Sequence, residues 1–555
     1  MRWRRWTVRA GLLSVGVSFA LGFWAQAVQA QEPGDEPQET QEAPAASAAS
    51  SGAQKASAAP TNPQTGPAGA TPQPKPEPEK PPVVTHHQIQ VNGRTLKYTA
   101  TAGLMPIQNA EGETQAHIFF IAYTLDNPPP QRPLTFAFNG GPGSASVWLH
   151  LGVIGPRRVK LLPQGGMPPP PFELIDNDQT WLDQTDLVFI DPVGTGYSRA
   201  VKPELGKNFW SVQGDIQSVG EFMRLYLSRN QRWNAPLFLA GESYGTTRAA
   251  GLSGYLMSHG IALDGIVLVS TVLNFETLEF ARGNDLPYLL YLPTYAATAW
   301  YYKRLSPDLQ QQDLSKTLEE VKAWAATDYA AALAKGDALS PAERSAVIDR
   351  LARYTGLSKT YMDESNLRVE QGHFCAELLR DEKRIVGRLD SRFVGTNASG
   401  VSEAADYDPS EAGIRPPFTS MFNNYVRQEL GYKSDVEYYI LGGGVRGWEW
   451  FPSHPGYSEQ GYTNVSPALR EALVKNPYMR LFMAMGYFDL ATPFFAAEYT
   501  LDHLGLDPKL RSNVSTGYYQ AGHMVYIDSE SLAKLKHDIS GFIAGALHPS
   551  TVANP

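Results

Sequence analysis

The stretch LFLAGESYGTTRAAGL, residues 237–252, reads as a short apolar strand, a tight turn around Ser243 and the opening of a helix. Four apolar residues in a row, Leu237 to Ala240, suit a strand buried on both faces. Small residues flank the serine at Gly241 and Gly245, where a side chain would meet neighbouring backbone in a sharp strand-to-helix reversal. Such a turn leaves the serine hydroxyl exposed above the sheet. The pentapeptide G-x-S-x-G alone carries little weight in a chain of 555 residues. Its place between a strand and a helix gives it meaning.

Outward from this point the same grammar repeats. Short apolar runs recur as LTFAF (134–138), DLVFI (186–190), IVLVS (266–270) and RLFMAM (480–485), with helical patterns at 211–229 and 246–260 between some of them. Strands alternating with helices predict an α/β fold built on a mostly parallel sheet. Before it, HHQIQVNGRTLKYTAT turns at Asn92-Gly93 and AHIFFIAYTL follows, which predicts a hairpin and a third strand. Between about 276 and 477 the alternation stops. Helical composition dominates there, as in 309–336 and 340–356, and a Gly-rich aromatic stretch, LGGGVRGWEWFPSHPGY, runs over 441–457. This region is expected to be a helical cap inserted into the sheet domain, and an amphipathic helix near 529–546 closes the chain.

A serine nucleophile needs a base, the base needs an orienting carboxylate, and the oxyanion needs N–H donors aimed at it. Asp489 in GYFDLATP follows the strand at 480–485, and His523 in AGHMVY follows the strand-like STGYYQ. The order Ser243, Asp489, His523, each after a strand, is the order used by nucleophile-elbow enzymes. Upstream, FAFNGGPGSASVW places Asn139, Gly140 and Gly141 directly after a strand. A glycine-rich turn there frees N–H groups for an oxyanion hole that the N–H of Tyr244 completes. The turn at 139–144 has no Walker lysine after it and no G-x-G-x-x-G pattern in it, so phosphate binding there is not expected. No HExxH or comparable cluster occurs either, and neither metal nor cofactor is expected.

The blocks NGGPGS (139–144), DPVGTGYS (191–198), GESYG (241–245), GYFDLATP (486–493) and GHMV (522–525) resemble, in order and spacing, the signature blocks of the serine carboxypeptidases, peptidase family S10. The resemblance implies an α/β-hydrolase fold with a helical insertion and hydrolysis of C-terminal peptide bonds through an acyl-enzyme. Carried over by position, Ser243 is the nucleophile, His523 the general base and Asp489 its orienter. Gly141 and Tyr244 supply the oxyanion N–H groups, and Asn139, Gly140 and Glu242 receive the substrate's terminal carboxylate. Two carboxylates repel, so Glu242 can serve only when protonated, which implies a preference for acid pH. Two departures bear on this. The family's second acidic residue after NGGPG falls here on Val153, and a Trp two positions before the motif Asn is replaced by Ala137.

The ends and the composition set the context. MRWRRWTVR carries four arginines and is followed by an uncharged run from Ala10 to Ala25, so residues 1–30 read as a signal peptide cleaved after Ala30. An uncleaved anchor is the alternative, and Arg4-Arg5 permits twin-arginine export. Residues 31–82 hold 12 of the 42 prolines and no Leu, Ile, Val, Met or aromatic residue, the composition of a disordered tether. From residue 83 the chain reads as one hydrolase domain. A net charge of −9 offers no footprint for nucleic acid. A single cysteine, Cys375, excludes an internal disulfide, although secreted eukaryotic relatives are rich in them. These features point to an exported protein, periplasmic or extracellular, that keeps no membrane span once its leader is removed, and the resemblance implies peptide C-termini as its substrates. The competing expectations are an acyltransferase or esterase on the same scaffold, or a catalytically silent envelope binding protein.

Overall fold

The computed structural model describes residues 81–450 and 461–548. The expected signal peptide, the tether as far as residue 80, and residues 451–457 of the Gly-rich stretch lie outside the described residues.

Among the described residues, one ten-stranded sheet organises the chain. Its strands are β1 (Val83–Val91), β2 (Arg94–Gln108), β3 (Thr114–Leu125), β4 (Leu134–Phe138), β5 (Asp186–Ile190), β6 (Leu237–Ser243), β7 (Gly265–Thr271), β8 (Arg480–Gly486) and β9 (Val514–Tyr519), with the short Arg199–Ala200 beside β3. They lie in the order β1-β2-β3-β5-β4-β6-β7-β8-β9. Pairing is antiparallel from β1 to β5 and parallel from β5 through β9. The β1–β2 turn is the expected one: Val91 pairs with Arg94, and Asn92 and Gly93 both take positive φ, +49° and +73°. That geometry matches the twist of a two-residue hairpin.

The parallel strands are apolar on both faces because each face has a cover. Phe136, Phe138, Leu239, Ile266, Leu268, Leu481 and Met483 point into one apolar cluster, and the alternate Ala137, Phe238, Ala240, Val267, Val269 and Phe482 into the other. Helices α1 (Val212–Arg229) and α2 (Tyr244–Ser258) pack on the first face, while α4 (Pro409–Gln428) and α5 (Ser529–Leu547) pack on the second. A fully buried Phe such as Phe136 contributes about 2 kcal/mol by leaving water.

Between β7 and β8, neighbours in the sheet, the chain makes its long excursion. Helix α3 (Leu286–Tyr301) opens this insertion, and a helix at Pro341–Thr355 starts on a capping box between Ser340 and Glu343. Leu290, Tyr295, Leu318 and Leu351 of the insertion share the first apolar cluster with the sheet. The helical insertion is therefore continuous with the core of the α/β-hydrolase fold.

Candidate active site

Ser243 ends β6 and precedes the first residue of α2, with φ +60° and ψ −132°. A non-glycine residue held there is strained, and the surrounding backbone enforces it. The turn is so tight that a Cβ on Gly245 would lie 2.8 Å from the carbonyl oxygen of Phe138, and one on Gly241 would run into the carbonyl of Gly245. Gly140 is wedged against the same turn, where a Cβ would lie 2.7 Å from the N of Gly245 and 2.8 Å from the O of Glu242. The turn after β4 thus meets the elbow backbone to backbone. Tyr244 opens α2, so its N–H is one of the first-turn donors that have no partner within the helix.

Asp489 and His523 follow the C-terminal ends of β8 and β9, the same edge of the parallel sheet on which β6 delivers Ser243. His523 Nδ1 lies 2.8 Å from Asp489 Oδ2, and both side chains are buried. Asp489 Oδ1 accepts the N–H groups of Ala491 at 2.8 Å and Thr492 at 3.0 Å, and its Oδ2 accepts the Thr492 hydroxyl at 2.7 Å. An ionised carboxylate only accepts, so the imidazole proton sits on Nδ1 and Nε2 is left as the basic nitrogen. Burial pulls the His523 pKa down, but the charge and hydrogen bond of Asp489, together with Glu242, outweigh it and raise the pKa above its ordinary value.

The insertion holds this histidine loop in place. The N–H of His523 donates to the Leu389 carbonyl at 2.6 Å, and the Gly522 N–H donates to Asp390 Oδ2 at 3.1 Å. From the sheet, the Ser270 hydroxyl donates to the His523 carbonyl at 2.5 Å.

Glu242, just before Ser243, is 3% exposed, and its Oε1 accepts the Asn139 amide at 2.8 Å. Burial pushes its pKa from 4.5 up to about 7, against the opposing pull of His523, Tyr526 and Asn139. Asn139 is fixed from two sides: its Oδ1 accepts the Leu149 N–H at 3.0 Å and its carbonyl accepts Arg248 at 2.6 Å. Arg248 in turn pairs with Asp215 at 2.7 Å, both fully buried beneath the site. The eight residues named from the sequence therefore fall into one neighbourhood, with Gly141 in the glycine turn at φ +100°. Val153 does not join it as a polar group. It lies in a π-helical turn, His150–Ile154, fully buried in the second apolar cluster, and Ala137 faces that cluster too.

Four residues of this neighbourhood escaped the sequence reading: Thr492, Arg248, Asp215 and Tyr526. Asp215 and Arg248 did leave a signal, since each is a charge on the apolar side of a helix, next to Ile216 and Ala249 respectively. The buried Tyr244 ring meets Trp448 and Trp450 of the insertion edge-on at 5.2 and 5.9 Å. Among the described residues no group of three or more His, Cys, Asp or Glu side chains is placed to hold a metal ion.

The family model for serine carboxypeptidases, Peptidase_S10, matches residues 91–535. The chain belongs to the serine carboxypeptidase family. Curated members similar to it include serine carboxypeptidase-like 5 of Arabidopsis thaliana, 30% identical over 134 residues, which are 24% of this chain and 30% of that protein. Another is serine carboxypeptidase S10 family member 1 of Dictyostelium discoideum, 24% identical over 196 residues, 35% of this chain and 42% of that one. The chain spans about a third of the length of the first of these relatives. Among solved structures, the prohormone-processing carboxypeptidase Kex1(delta)p of Saccharomyces cerevisiae aligns over 80% of this chain and 91% of its own, at TM-score 0.47 and 16% identity. Proline iminopeptidase of Mycobacterium smegmatis aligns over 80% and 98%, at 0.35 and 13%. In this serine carboxypeptidase family member, the block NGGPG, the elbow and the loops of Asp489 and His523 all lie within the matched residues.

Proposed function

We propose that this protein is a serine-type carboxypeptidase that releases C-terminal residues from peptides through an acyl-enzyme on Ser243. The observation that carries the reading is the Asn139–Glu242 pair beside the elbow. A peptide's C-terminus is an anion, and a buried carboxyl can bind it only by donating a proton. Glu242, protonated below about pH 7, is such a donor, and Asn139 and Gly140 complete the receiving surface. An esterase acting on neutral acyl groups has no use for that arrangement.

Ser243 Oγ attacks the scissile carbonyl carbon as its proton passes to His523 Nε2, while Asp489 steadies the imidazolium. The oxyanion is received by the N–H groups of Gly141 and Tyr244. Collapse of the intermediate breaks the C–N bond, the proton on Nε2 goes to the leaving amine, and water then hydrolyses the ester by the same route in reverse. The reading of residues 1–30 as a signal peptide and 31–82 as a tether supports an exported enzyme, acting in the cell envelope or beyond.

The full chain, incubated with a peptide and with its C-terminal amide between pH 4 and 8, tests the reading by mass spectrometry. Stepwise loss of residues from the free acid alone is expected, and Ser243→Ala should abolish it. Equal cleavage of both peptides, or cleavage that survives Ser243→Ala, refutes it. Acyl transfer or ester hydrolysis without residue release identifies the alternative enzyme on the same scaffold.

A further inference from the structure

The carboxylate-binding corner lacks the second acid that the family resemblance calls for, since Val153 is enclosed in apolar core. Its neighbour Gly152 lies under the ring of Tyr526, so closely that a Cβ there would sit 2.8 Å from Cδ2 and closer still to Cε2. Tyr526, three residues after His523 in a 3-10 turn, is 1% exposed. Its hydroxyl reaches the Glu242–Asn139 pair and interacts with both. Glu242 Oε2 and Tyr526 Oη are each buried and neither holds a conventional hydrogen bond among the described residues. One is a donor and the other an acceptor, and they adjoin.

We propose that Tyr526 takes the place of the missing second acid, as a positioning residue that holds Glu242 Oε2 and governs when Glu242 gives up its proton. This inference rests on the role proposed above for Glu242.

The chemistry of the exchange has a definite consequence. Two neighbouring carboxyls share a proton, and the second ionises only against the charge of the first. A phenol donates a hydrogen bond but adds no charge across neutral pH. Glu242 then titrates as a single carboxyl. The groups facing it are His523, whose positive charge favours ionisation, Asp489, whose negative charge opposes it, and the donors Asn139 and Tyr526, which favour it. Gly152 is part of the device, because any side chain there would displace the ring. Loss of the phenol oxygen alone should make Glu242 harder to ionise.

The test compares the full-length protein with Tyr526→Phe, Glu242→Gln and the double variant. Infrared difference titration reads the Glu242 carboxyl without relying on activity, with Glu242→Gln identifying its band. The pH profile of kcat/KM on a free-acid peptide is recorded in parallel. Tyr526→Phe should raise the Glu242 midpoint by about one pH unit, a tenfold change in proton affinity, and move the alkaline limb of kcat/KM by the same amount. In the Glu242→Gln background the substitution should leave the pH profile unmoved. An unchanged midpoint in Tyr526→Phe overturns the proposal, even if the variant melts at a lower temperature. A shifted midpoint in a protein that releases no residue upholds Tyr526 and rejects the carboxypeptidase reading; residue release with an unshifted midpoint does the reverse.

Discussion

Replacing Glu242 by Gln should make the protein's stability less sensitive to rising pH, and the size of the effect follows from where the carboxyl sits. Its pKa is raised by burial from 4.5 to about 7 in the folded chain. Below pH 4.5 the group is protonated whether the chain is folded or not, and the fold carries no penalty. As pH rises the unfolded chain ionises first, so stability drains away until the folded carboxyl ionises too, near pH 7. The total is about 3 kcal/mol, at 1.36 kcal/mol per pH unit of difference. Gln cannot ionise and is spared this loss, while its oxygen can still accept from Asn139. Asp191, also buried with its pKa raised to about 7, contributes the same slope to both proteins and cancels in the comparison. A domain of this size unfolds with an entropy of roughly 1 kcal/mol per degree, so the gap in Tm between variant and parent should widen by about 3 °C in the variant's favour from pH 4 to pH 8. Calorimetry at the two pH values decides it. A gap that is the same at both would mean that Glu242 ionises at its ordinary pKa inside the fold, and the carboxylate-recognition argument would go with it.

Asp489→Asn should lower kcat by about 10³–10⁴: the Ala491 and Thr492 N–H groups demand its carbonyl oxygen, which turns the amide NH₂ toward His523 Nδ1 and disfavours the working tautomer. Steady-state kinetics with kcat within tenfold of the parent would contradict this. Arg248→Met leaves Asp215 buried and unpaired and should cost about 3–5 kcal/mol in denaturant melts. Burial already raises the Asp215 pKa, so the loss should grow as pH rises and the carboxyl ionises; a cost under about 1 kcal/mol at every pH would count against the pair's importance. Gly140→Ala drives a methyl into the elbow backbone and should reduce kcat/KM at least a hundredfold, whereas Gly112→Ala, at φ +83° with no atom within 4 Å of the added Cβ, should cost only about 1 kcal/mol and no activity. Similar kinetics in the two variants would refute the close fit of the turn after β4 to the elbow.

Much of this architecture was legible in the chain because its causes are local. The runs 134–138, 186–190 and 266–270 announced strands β4, β5 and β7 through unbroken apolar residues, which only a sheet covered on both faces can bury. Asn92-Gly93 announced its hairpin through the positive φ that both residues tolerate, and the helical pattern at 340–356 announced a helix, whose Ser340–Glu343 capping box the structure added. Gly241 and Gly245 likewise declared the elbow, since the clash they avoid is with backbone a few residues away or on the adjoining strand.

The long-range contacts were not legible. Residues 388–390, deep in a region that reads only as helical insertion, hold the loops of Asp489 and His523 by hydrogen bonds to Leu490, His523 and Gly522. Arg248 and Asp215 could be suspected as charges on apolar helix faces, but that they pair, and that Arg248 grips the Asn139 carbonyl, depends on how α1 and α2 pack on the sheet. Tyr526 is the clearest case. Its sequence neighbours give no hint that its ring rests on Gly152 or that its hydroxyl meets Glu242, because these partners lie hundreds of residues away along the chain. Backbone geometry and the order of the chemistry are properties of short segments, so the sequence determined them. Which side chain stands behind the carboxyl at position 242 depends on three distant segments closing on one point, and only the packed structure could decide it.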